Sequence, residues 1–168
     1  MSPEEWGPPI WTLFHTLAEK IKEESFPIIG RALFAHIYKI SSFLPCPECS
    51  QHAKAFLGKI HPNKLQTKTD LKNILYVFHN VVNRRKKKPM CPVDRLNGLY
   101  EKRHLHQVVN HFLSVYNTKG NMNLIMESFH RQFVVKSFKT WIVKHIEHFS
   151  MAAPAAVASP TAALPTLV

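Results

Sequence analysis

The stretch Pro8-Pro9-Ile10-Trp11-Thr12-Leu13-Phe14-His15-Thr16-Leu17-Ala18-Glu19-Lys20-Ile21 decides the fold class. Two prolines suit the first turn of a helix, where their missing N–H groups would have no partner anyway. After them Ile10, Leu13, Phe14, Leu17, Ala18 and Ile21 recur at three- and four-residue intervals. That is the period of an amphipathic helix and not of a strand. Pro27 to Phe43 repeats the pattern, with Ile29, Leu33, His36, Ile37 and Ile40 inward. Pro45 and Pro47 bracket a break, Glu48 to Leu57 restart as a short third helix, and Pro62-Asn63 make the next turn. Asp70 is placed to cap a fourth helix whose buried stripe is Leu71, Ile74, Leu75, Phe78 and Val82. A short fifth helix follows over Asp94 to Glu101.

Five glycines, mostly isolated, and almost no alternating apolar/polar runs leave little room for sheet. The expectation is an all-α chain: a four-helix bundle plus a short fifth helix over residues 1–103. A helical extension would follow over 104–149, and a disordered Ala/Pro-rich tail over 150–168. The extension comprises His104 to Asn117, a break at Lys119-Gly120-Asn121, and a long helix from Leu124 to Phe149. Ile125, Phe129, Phe133, Val134, Phe138, Trp141, Ile142 and Phe149 are expected on its inner side. Lys136, Lys139, Lys144, His145 and His148 fall largely on the other. A Phe/Trp stripe reads first as packing on the bundle; a dimer contact, a membrane surface and an acidic partner are the other readings.

The chain of 168 residues carries 22 Lys and Arg against 11 Asp and Glu, a formal charge of +11. That excess favours polyanions, whether nucleic acid, anionic membrane or a nucleotide pyrophosphate, without choosing among them. Three cysteines are too few for a disulfide-stapled scaffold, and an odd count leaves one unpaired. The acidic start Met1-Ser2-Pro3-Glu4-Glu5-Trp6 is no signal peptide, and no apolar run approaches a membrane span. The chain therefore reads as soluble, in a cytosolic setting where a functional disulfide would be catalytic.

Cys46-Pro47-Glu48-Cys49 carries the chemistry. A CxxC at a helix start sets its first sulfur near free N–H groups and the positive end of the helix dipole, which favour the thiolate nucleophile. Cysteines three apart in such a turn can also close a disulfide. By itself the motif is equally half of a metal site, with His52 and either Cys91 or His61 completing four ligands at an unfamiliar spacing. Trp11 and His15 share a helical face, which a cofactor or an ordinary aromatic core would equally produce. His79 and Asn83 do the same, and two Asn beside His in a strong helix suggest a polar task. The run Arg84-Arg85-Lys86-Lys87-Lys88 reads either as a solvated helix end, a nuclear-import-like patch or an anion holder.

Together and in this order, Trp11/His15, Cys46-Pro47-Glu48-Cys49 and His79-Asn80-x-x-Asn83 with its basic run resemble the Erv/ALR family of FAD-linked sulfhydryl oxidases. The resemblance covers about the first hundred residues. It implies that Gly7, Trp11, His15, His79, Asn80, Val82 and Asn83 line an FAD site, with Arg84, Lys86 and Lys88 on the phosphates. It also implies that Cys49 lies against the flavin ring and passes electrons to it, while Cys46 exchanges with substrate thiols and O2 is reduced to H2O2. Protein dithiols or a thioredoxin-like redox partner would be the reductants, and a homodimer is implied. Nucleic acid and a membrane span are not expected.

There are departures from the family pattern. This chain has no second, shuttle CxxC, and Cys91 stands near one half of a structural disulfide for which no partner cysteine is present. Cys91 is expected to be free, the alternative being a cross-link to a sister chain. The compact form looks most like the versions of large DNA viruses, which places it in the host cytoplasm or virion ahead of the mitochondrial intermembrane space. The competing function is a zinc-stabilised, basic nucleic-acid-binding protein, which uses the charge and the Cys/His cluster but leaves the aromatic, imidazole and amide motifs unexplained as a set.

Overall fold

In the computed structural model the first helix begins five residues before the double proline. The structure describes residues 2–116 and 125–151, less the side chains of 94–97, 125 and 127. Helix α1 runs Pro3–Lys20, with the Ser2 N–H donating to the Glu5 carboxylate at its start. Pro3 takes the first-turn place, so Pro8 and Pro9 lie inside the helix. They remove the ladder donors to the Glu4 and Glu5 carbonyls, which are exposed and can turn to water.

Helix α2 spans Phe26–Ser42, α3 Pro47–Leu57 and α4 Lys68–Arg85. Ile29, Leu33, His36, Ile37 and Ile40 are all buried in α2 as the periodicity requires. Asp70 is not the cap of α4. Thr67 is, and Asp70 sits at the third helical position, its carboxylate accepting the Thr67 N–H at 2.9 Å while Thr67 Oγ1 accepts the Asp70 N–H at 3.1 Å. Leu71, Leu75 and Phe78 are buried, and Ile74 and Val82 pack at the margin of the core. Helix α5 (Val93–Glu101) lies against α1. Among the described residues there is no strand, only an isolated antiparallel bridge between Ile21 and Phe149.

The extension forms α6 (Leu105–Tyr116) and α7 (Ile125–Lys144), followed by a 3-10 turn at Ile146–His148. Helix α6 packs along α1, burying Leu105, Val108, Val109, Phe112 and Tyr116 in the same core as Leu13, Phe14 and Leu17. Each such side chain contributes about 1.5–3 kcal/mol on leaving water. Helix α7 crosses α2 through Val134, Phe138 and Ile142, with the His36 ring against both Phe138 and Trp141. Phe129 and Phe133 are not on the inner side: they are 64% and 70% exposed. At about 100° per residue they lie well around the helix from Val134, Phe138 and Ile142, which occupy the face against α2. The end of α1 is clasped to the segment after α7, where Lys22 N–H donates to the His148 carbonyl at 3.0 Å and Ser150 N–H to the Lys20 carbonyl at 2.7 Å. The expected tail over 150–168 falls almost wholly outside the described residues.

Candidate active site: a disulfide in an aromatic and cationic cleft

Cys46 and Cys49 are joined by a disulfide, their Cα atoms 5.2 Å apart. Pro47 starts α3, and Cys46 stands in the cap position with its sulfur accepting the Cys49 N–H at 3.2 Å. Sulfur thus takes the place that a Ser or Asp oxygen ordinarily fills. Among the described residues no three His, Cys, Asp or Glu side chains come together as a metal cage, and His52 and Cys91 do not join the pair. Cys91 is a free, half-buried thiol.

The disulfide lines a cleft of about 650 Å³ between α1, the α2–α3 turn and α4. Its aromatic wall begins with Trp11 and His79, whose rings lie parallel within 2° at 4.0 Å. His15 lies behind them, hydrogen-bonded through Nε2 to His79 Nδ1 at 3.0 Å and stacked on Tyr100 at 4.8 Å. Burial drives the His15 pKa down to about 3, with His79 adding to it, and burial alone takes His79 down to about 4. Both rings are therefore neutral at physiological pH, and in their mutual bond one donates while the other accepts.

Of the residues read from sequence as cofactor-binding, Gly7, Trp11, His79, Val82, Asn83, Lys86 and Lys88 line this cleft. Three do not. His15 lies behind the wall and supports it. The Asn80 side chain is buried and spent on the Cys91 backbone, accepting its N–H at 2.8 Å and donating to its carbonyl at 3.1 Å. Arg84 gives way to Arg85, which lines the cleft and reaches Glu48 between the two cysteines at 2.9 Å. Helical spacing explains both changes. Asn80 and Arg84 are four apart on one face, whereas Phe78, Val82, Arg85 and Lys86 share another.

The basic run is folded back by its own backbone. Lys87 adopts a left-handed conformation, φ 54°. Lys87 N–H bonds the Arg84 carbonyl at 3.1 Å and Lys88 N–H the Asn83 carbonyl at 2.8 Å. This pair of bonds is the Schellman ending of a helix, with lysine where glycine is usual. It brings Lys88 back beside Lys86 at the cleft rim. Tyr100 and Arg85, missed in the sequence, had only partial signals: an aromatic in a short fifth helix, and helical register within a run of five cations.

The model of the Erv1 / Alr family matches residues 8–104, which contain every element of this cleft but Gly7 and the residues before it. The chain belongs to the Erv1/Alr family. Among similar proteins of this family is the FAD-linked sulfhydryl oxidase ERV1 of Oryza sativa subsp. japonica, 33% identical over 102 residues. That match covers 61% of this chain and about half (52%) of the rice protein. The putative FAD-linked sulfhydryl oxidase 347L of Invertebrate iridescent virus 6 is 31% identical over 98 residues, 55% of this chain and 88% of the viral one. The probable FAD-linked sulfhydryl oxidase OPG072 of Vaccinia virus is 32% identical over 95 residues, 56% of this chain and 93% of its own length. No solved structure matches this chain. Helices α6 and α7 lie beyond the Erv1/Alr match.

Proposed function

We propose that this Erv1/Alr chain is an FAD-dependent thiol oxidase that makes disulfides in protein dithiols and reduces O2 to H2O2. The observation that carries it is the Cys46–Cys49 disulfide in the wall of a cleft with aromatic, amide and cationic surfaces. The cleft fits FAD: its volume of about 650 Å³ suits a large cofactor, Trp11 and His79 offer a flat stacking surface, and Arg85, Lys86 and Lys88 supply the charge a pyrophosphate needs. Gly7, Val82 and Asn83 complete the contact, with His15 behind. Held against Trp11 and His79 with Arg85, Lys86 and Lys88 on its phosphates, FAD would supply the two-electron chemistry that links the dithiol to O2.

The protein's own steps are disulfide exchange. A substrate thiolate attacks Cys46 Sγ, forming a mixed disulfide and breaking the bond to Cys49, which leaves as the thiolate. The second substrate thiol then attacks its own sulfur in that mixed disulfide, so the substrate leaves oxidised and Cys46 leaves as a thiolate. The electron pair now resides on Cys46 and Cys49, and the two substrate protons pass to solvent. The Cys49 N–H and the α3 N-terminus favour the Cys46 thiolate. A homodimer, a thioredoxin-like electron donor, and a place in the host cytoplasm or virion belong to the same proposal. They rest on the resemblance and on the two viral relatives, most of whose length this chain spans.

The visible absorption spectrum of the purified protein, followed on adding a dithiol under air and under nitrogen, tests the reading. Flavin bands that bleach only without oxygen, with peroxide formed in air, are expected. A protein that stays colourless after refolding with FAD would overturn it. In the zinc-stabilised nucleic-acid-binding alternative, the metal would need sulfurs that here bond each other, and no observation favours it.

A further inference from the structure

Residues 105–149 lie beyond the family match, and the reaction above uses none of them. Yet α6 sets one side chain directly on the segment that enters the dithiol. Tyr116, the last residue of α6, is fully buried, and its one hydroxyl proton is shared between Ile40 O at 2.9 Å and Phe43 O at 3.0 Å. Both acceptors lie at the end of α2, where the Ile40 carbonyl also accepts the Phe43 N–H at 3.2 Å. Only Leu44 and Pro45 separate Phe43 from Cys46.

The same phenylalanine is held again by α7. The exposed His130 ring lies flat on Phe43, with centroids 5.0 Å apart and planes within 2°. Past Phe43, Ser50 of α3 takes over: its hydroxyl oxygen accepts the Leu44 N–H at 2.9 Å and lies 3.2 Å from the Cys46 carbonyl. The turn into the disulfide is thus fixed from two sides, from α3 within the family domain and from the extension outside it. Burial pushes the Tyr116 hydroxyl above the ordinary tyrosine range, so it remains a donor at any working pH.

We propose that Tyr116, assisted by His130, is a positioning residue for the redox dithiol: by fixing Phe43 the extension holds Cys46 at the N-terminus of α3. The proposal rests on reading Cys46–Cys49 as the redox pair. Once the disulfide is reduced, the Cys46 thiolate is favoured only while its sulfur stays at the Cys49 N–H and the helix end. A looser α2–α3 turn would average that contact away and raise the pH at which Cys46 ionises. A tyrosine present only for packing could lose its hydroxyl with no effect on Cys46.

The test is the pH profile of alkylation. Full-length protein, Tyr116→Phe and His130→Ala are reduced, freed of reductant and treated with iodoacetamide across pH, with Cys46 and Cys91 quantified separately by peptide mass spectrometry. In Tyr116→Phe the Cys46 midpoint should rise by roughly half a pH unit. His130→Ala should move it the same way by less, with Cys91 unmoved in both. Coincident Cys46 profiles in all three proteins overturn the proposal, and so does an equal shift at Cys91, which would mean general loosening. If Tyr116→Phe fails to fold, the exposed His130→Ala decides alone. Absence of flavin and peroxide would sink the oxidase reading yet leave the Cys46 profile readable, so the two failures are distinguishable.

Discussion

His15 Nε2 and His79 Nδ1 face each other at 3.0 Å across α1 and α4, so the wall of the cleft depends on a hydrogen bond between two neutral imidazoles. Protonating both rings would set donor against donor and place two charges in a buried site. The folded pKa values, about 3 and about 4, lie below the ordinary histidine value of 6.5. Buried His36, between α2 and α7, is likewise depressed to about 4, chiefly by burial, with Lys39 and His145 adding to it. Between pH 6.5 and 4 the unfolded chain binds protons that the folded one refuses. Stability is therefore full above about pH 6.5 and falls as pH drops, by up to roughly 1.4 kcal/mol per pH unit for each histidine. Urea denaturation at pH 7.5, 6 and 5 checks this, and a midpoint that does not move would contradict it.

Asn80 is expected to matter for structure rather than for flavin contact. Asn80→Ala leaves the Cys91 N–H and carbonyl without their partners, which should lower unfolding free energy by about 2 kcal/mol. The Cys91 thiol should then react faster with a thiol reagent, while flavin bound per folded molecule stays the same. Flavin loss without loss of stability would restore Asn80 to the cofactor site.

The cationic rim separates neighbours in sequence. Arg85→Ala should weaken FAD retention roughly tenfold, because a charged hydrogen-bond donor leaves the cleft, and the effect should shrink at high salt. Arg84→Ala should change retention little. Flavin release into filtrate, measured for both variants at two salt concentrations, tests the assignment, and equal losses would count against it.

Lys87 is the one described non-glycine residue with positive φ. Its conformation costs a side-chain-bearing residue about 1 kcal/mol that glycine avoids. Lys87→Gly should raise the thermal midpoint by a few degrees with flavin content unchanged.

Much of this was legible before the structure. The three- and four-residue spacing of Ile10 to Ile21 and of Ile29 to Ile40 gave the core faces of α1 and α2, because burial on one side of a helix leaves that period in the sequence. The errors share a cause: local signals compete. Pro8-Pro9 looks like a helix start unless Pro3 is weighed, and Asp70 looks like a cap unless Thr67 is. Which side of α7 faces inward depended on what α2 offered it, and Phe129 and Phe133 went to solvent. The site motifs pointed to the segment of α4 that lines the cleft, yet a step of one residue, about 100° around the helix, puts Arg85 rather than Arg84 in that lining. The contacts of Tyr116 with Ile40 and Phe43 span 76 and 73 residues and leave no periodic trace.

The bridge between Ile21 and Phe149, with its flanking bonds at Lys20 and Lys22, joins the end of the first helix to the segment after the last. A ribosome makes roughly 5–20 residues per second, so the end of α1 waits many seconds for its mate. During that interval the nascent chain already exposes Cys46 and Cys49 without Tyr116 above them. The dithiol would thus pass through synthesis in an immature setting, and take its final geometry only once Tyr116 and His130 have reached the end of α2.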